Sequence, residues 1–78
     1  MQFVINEMVI PEGELPQVRR YPLPPVSTRE AAETLIDDLR WKHDNVDILR
    51  HLSYSLLLEQ VNEEGNLVHT VFWIAETK

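Results

Sequence analysis

LLLEQVNEEGNLVHTVFW, residues 56–73, holds two apolar runs joined by Asn62-Glu63-Glu64-Gly65-Asn66. Asparagine suits the first position of a type I turn, and Gly65 suits the left-handed residue that follows it. Together they predict a three-residue hairpin loop closed by a G1 bulge. Asn62 then stands opposite Asn66, and the whole pairing follows. Leu58 faces Thr70, Leu56 faces Phe72 and Tyr54 faces Ile74 on one side. Val61 faces Leu67, Leu57 faces Val71 and Ser55 faces Trp73 on the other. A slip of one residue would exchange the two faces.

Carried backwards, the same parity predicts a strand over 50–61. Leu52, Tyr54, Leu56 and Leu58 share one side with Val46 and Ile48, and Arg50 is the exception. The opposite side, His51, Ser53, Ser55, Leu57 and Glu59, is mostly polar. Residues 46–49 are ambiguous, since Leu49, Leu52 and Leu56 alone could also fit a helix. Residues 67–76 are apolar on both sides, as strands covered on both faces are. Residues 2–10, with Phe3, Val4, Ile5, Val9 and Ile10, predict a further strand that ends at Pro11 and Gly13.

The helix is predicted over 27–43. Ser27 is its expected N-cap and Glu30 completes a capping box, with Val26 and Ala31 as a weak hydrophobic staple. Ala32, Leu35, Ile36 and Leu39 form one stripe at helical spacing, and Glu30, Glu33, Thr34, Asp37 and Arg40 face outward. Asp38 and Lys42 make an i,i+4 pair, and Asn45 is the expected left-handed stop. The expected architecture is a single α+β domain over 1–78. It is β-α-β-β, a three-stranded antiparallel sheet in spatial order 1-3-2, with a right-handed crossover and one helix on one face.

Residues 11–26 carry all five prolines and predict an extended, irregular arm. Within it, RRYPLPPV (19–26) matches the R-x-x-P-x-x-P spacing of polyproline ligands. It lies between two ordered elements, directly before a capped helix, and reads as a rigid connector.

A lone helix leaves one sheet face bare, and the expected bare face holds Leu57, Val61, Leu67, Val71 and Trp73. At ~1.5–3 kcal/mol each, burying these five offers roughly 8–15 kcal/mol gross. Association costs about 4–15 kcal/mol, so the two ranges overlap. Apolar surface of this extent is unusual on a monomer. The chain has 78 residues and no cysteine, so a disulfide or thiolate metal site cannot supplement a small core, and a partner chain can. Homo-oligomerisation through this face is the leading expectation, with a different protein partner next. The competing expectation is that the arm (Leu15, Val18, Tyr21, Leu23) folds back over the face. Trp41 points roughly 160° from the helix stripe at 100° per residue, either as a secondary partner contact or stacked on the arm.

A net charge of −6 with no basic cluster beyond Arg19-Arg20 disfavours nucleic acid. No run reaches the ~20 apolar residues of a membrane span, and MQFVINEMVI lacks a basic leader and contains Glu7. A cytoplasmic protein without membrane contact is expected. No P-loop or G-x-G-x-x-G occurs, both glycines fall in turns, and Ser53, Ser55 and His51 on one strand do not make a triad. No enzyme activity and no cofactor are expected. HDNVD (43–47) and the trio His51, His69 and Glu59 are metal-ligand candidates by residue type, but no H-x-H or H-x-x-x-H spacing supports them. The alternative function is a small-molecule-binding accessory protein with its pocket at the oligomer interface near Tyr54, His69 and Trp73. Small size and acidity also suggest a phage- or toxin-related inhibitor.

Overall fold

A computed structural model describes residues 1–43 and 46–77. In chain order the elements are β1 (Gln2–Pro11), β2 (Gln17–Arg20), α1 (Arg29–Lys42), β3 (Asp47–Leu52), β4 (Ser55–Val61) and β5 (Leu67–Thr77). They build one antiparallel sheet in the order β2-β1-β5-β4-β3, with α1 against one face. Five strands replace the three expected, so the three-stranded β-α-β-β sheet is overturned. Two strands are added, one at each edge.

The first lies inside the proline arm. Residues 17–20 contain no proline, so their backbone N–H groups are intact, and they pair with Asn6–Val9 of β1. The second arises because the predicted strand over 50–61 breaks in two. Leu52 pairs with Ser55, which leaves Ser53-Tyr54 as a two-residue hairpin turn. Such turns normally announce themselves through Asn-Gly or a glycine at positive φ. Here no non-glycine residue among those described has positive φ, and the sequence carries no such signal. The β3–β4 register also shifts between Ile48 and Arg50, leaving Leu49 as an extra residue. That bulge flips the parity and explains why Arg50 broke the alternation.

The β4–β5 hairpin follows its loop chemistry. Ser55 pairs with Trp73, Leu56 with Phe72 and Val61 with Leu67. The Asn62 side chain accepts hydrogen bonds from the backbone of Glu64 and Asn66, both at 3.0 Å. Gly65 sits at φ 84° and donates to the Asn62 carbonyl.

The helix starts one residue later than expected. Thr28 is the N-cap, its Oγ1 accepting from Ala31 N–H at 3.1 Å. Glu30 is therefore at the second helical position, and the Ser27–Glu30 capping box does not form. Ala32, Ile36 and Leu39 are buried, as the stripe requires. At the other end His43 Nδ1 meets the Leu39 carbonyl at 2.8 Å and its ring packs 5.7 Å from Phe72. His43 is thus a cap and a core contact. The expected stop at Asn45 lies outside the described residues.

Ile5, Ile36, Leu39, Leu56, Leu58 and Phe72 form the core between helix and sheet. Tyr21 closes it from the arm, its ring edge-on to Phe72 at 5.3 Å. Val26 bonds Phe3 through two backbone hydrogen bonds. The arm therefore adds an edge strand and seals the helix side through Tyr21, while its Val18 lies on the opposite face and stays 62% exposed. Thr28→Ala is expected to lower stability by about 1 kcal/mol in urea denaturation, and Ser27→Ala by less than about 0.5 kcal/mol.

Candidate functional site

Paired residues in a sheet project to one side, so the registers assign every strand residue to a face. Phe72 belongs to the core beside α1, and with it go its partners Leu56 and Glu7. The opposite face carries no helix. Its central row runs across all five strands as Val18, Met8, Val71, Leu57 and Arg50. A second row reads Arg20, Asn6, Trp73, Ser55 and Leu52, and a third reads Ile10, His69, Glu59 and Asp47. Val61 and Leu67 pair at the hairpin end.

The five residues singled out from the sequence, Leu57, Val61, Leu67, Val71 and Trp73, thus share one face. Val71, Trp73 and Leu57 are half-buried by their neighbours, whereas Val61 is 63% exposed. Sequence reasoning missed Met8, Ile10, Val18 and Leu52, which widen the same surface. Met8 and Ile10 could have been found from β1 parity, but Val18 required knowing that β2 exists. The formal charges at this face's paired strand positions are Arg20, Arg50, Asp47 and Glu59, two of each sign. The chain's net −6 therefore resides elsewhere.

The remaining candidates scatter. Trp41 lies on α1, 65% exposed, with the Arg40 guanidinium 4.3 Å from its ring; it stacks on its neighbour and is remote from the bare sheet face. Tyr54 occupies the β3–β4 turn, where its carbonyl accepts from Ile74 N–H. His69 and Trp73 share a strand and a face but are four residues, roughly 13 Å, apart. His69 Nε2 meets Glu59 Oε2 at 2.8 Å, a cross-strand contact. His51 was expected beside His69. The bulge turns it to the helix side, where Nε2 lies 3.5 Å from Asp37 Oδ1. No group of three or more potential ligands could hold a metal ion among the described residues. The HDNVD idea runs through Asp44, which lies outside them. Among the described residues no helix is long and apolar enough to cross a membrane.

A second feature lies on the helix side, beyond the reach of α1. Glu7 is only 7% exposed, the one buried charged residue among those described. Arg19 Nε donates to Glu7 Oε1 from the neighbouring strand, although the Arg19 side chain is itself 62% exposed. The Arg19 guanidinium also lies 5.8 Å from the Tyr21 ring centroid. A cavity of about 390 Å³ opens here, lined by Glu7, Val9, Gln17, Val18 and Arg19.

No protein-family model, no curated protein and no solved structure matches this chain.

A buried carboxylate is tolerated only while its partner is present. Arg19→Met is expected to destabilise the fold by about 1–3 kcal/mol, read from chemical denaturation. In a Glu7→Leu background the same change should cost little, because no orphaned charge remains. Equal costs in both backgrounds would show that Arg19 contributes packing rather than charge.

Proposed function

We propose that this chain is a small assembly protein that self-associates through the helix-free sheet face, two copies packing face to face. The supporting observation is the apolar row Val18–Met8–Val71–Leu57, flanked by Trp73, Ile10 and Leu67 on the same side. A surface of this kind is costly to leave in water. Its four charged strand positions sum to zero, so a second copy meets it without net repulsion, while the acidic helix and turns stay outward. An isologous pair needs a self-complementary patch of this sort.

Edge-to-edge association is the obvious competitor, and the edges argue against it. β2 has four residues, set between Pro16 and Pro22 and carrying Arg19 and Arg20. β3 is interrupted at Leu49 and carries Asp47, Arg50 and His51. Short length, proline, charge and a bulge are the devices that keep strand edges from pairing. What remains for burial is the face.

Sedimentation velocity of the full chain is expected to give a dimer or larger closed assembly. Val71→Glu should weaken it roughly hundredfold, from about 3 kcal/mol for an unpaired buried charge. Circular dichroism should show the fold retained. A wild-type chain that stays monomeric at high micromolar concentration would sink the proposal.

A further inference from the structure

The Glu7–Arg19 cavity lies on the helix side of the sheet, where Glu7 pairs with Phe72, and it meets the self-association face only at Val18, which lines it as well. Glu7, between Ile5 and Val9 on the helix side of the sheet, anchors β2 through Arg19, but anchoring alone does not require a buried charge. A well-packed apolar residue at such a site is often neutral or better. Its single described side-chain hydrogen bond is the one from Arg19 Nε to Oε1. The second carboxylate oxygen, Oε2, is left for a group in the cavity that Glu7 helps to line. Arg19 is held at two points, by Glu7 through Nε and by the Tyr21 ring. Its terminal nitrogens have no hydrogen-bond partner among the described residues, so a guanidinium fork is oriented in advance and free to bind.

The site therefore offers an anionic acceptor and a cationic donor fork side by side. Val9 forms an aliphatic wall, and Gln17, opposite Val9 on β2, adds an amide. From this geometry we infer that the cavity binds a small zwitterion, an α-amino acid with an aliphatic side chain. The ligand's carboxylate lies on the Arg19 fork, its ammonium on the second Glu7 oxygen and its side chain against Val9. A simple carboxylate would meet the Arg19 fork but bring a second anion against Glu7. A simple amine would meet Glu7 and repel Arg19. Only a ligand with both charges satisfies both groups.

The test uses the full-length chain and three probes of similar shape: leucine, N-acetylleucine and leucinamide. Backbone and arginine Nε chemical shifts are followed by nuclear magnetic resonance. Saturable shifts at Glu7, Val9, Gln17 and Arg19 are expected with leucine. Each single-charge probe should bind at least about tenfold more weakly, the loss of one charge-assisted hydrogen bond. Arg19→Lys keeps the charge and loses the fork; it should weaken leucine by a similar factor while the remaining spectrum shows the fold intact. Absence of saturable shifts with leucine, or equal binding of either single-charge probe, would overturn the inference. So would unchanged leucine affinity in Arg19→Lys. Because Val71→Glu leaves this cavity untouched, its leucine response separates failure here from failure of self-association.

Discussion

The register of the β4–β5 hairpin is the constraint on which the rest of the molecule depends. Asn62 holds it from one side of the loop by accepting two backbone hydrogen bonds, and Gly65 holds it from the other by adopting positive φ. That closure sends Phe72 inward to Ile36, Leu39 and Leu56 and sends Trp73 to the opposite face. Because strand side chains alternate, a register displaced by one residue would reverse this division. A shift by one would drive the indole and Val71 under the helix and expel Phe72. The core side and the bare side of β4 and β5 both follow from five loop residues.

The middle of the sheet was legible because its turn chemistry is strong. Asn62 and Gly65 carry a specific conformational demand, and the flanking side chains agree with it. The edges were illegible for the opposite reason. Ser53-Tyr54 turns the chain without glycine, asparagine or positive φ, so nothing local distinguishes it from continuing strand. Leu49 conceals the break further by shifting parity, and Arg50 was the visible trace of that shift. In the arm, prolines at 16 and 22 hid a four-residue window whose N–H groups were all available to β1. Thr28 and Ser27 are both good capping residues, and the choice between them was decided by where the backbone turns helical, which composition does not encode.

The candidate site was legible in part for the same physical reason. Leu57, Val61, Leu67, Val71 and Trp73 share a face because one hairpin sets all five. Met8 and Val18 belong to strands whose neighbours no short-range signal specifies. Glu7 was legible only as an interruption of an apolar run. Its partner is twelve residues away along the chain and becomes adjacent only when β2 folds against β1. His51 shows the converse, since a bulge in its own strand carried it away from the histidine it was expected to join.

β2 links the two surfaces. Successive strand residues point to opposite sides, so Val18 extends the apolar face while Arg19 lines the cavity behind it. Four residue pairs hold this strand to β1, a modest ladder whose own side chains are exposed. The Glu7–Arg19 contact and the stack of Arg19 on Tyr21 are its side-chain anchors on the helix side. Tyr21 in turn rests on Phe72, the residue that the hairpin register places at the centre of the core. The position of Val18 at the margin of the bare face is thus tied, through Arg19, Tyr21 and Phe72, to the same five-residue loop. An exposed edge strand of this length would otherwise be free to fray, and the apolar row would end at Met8.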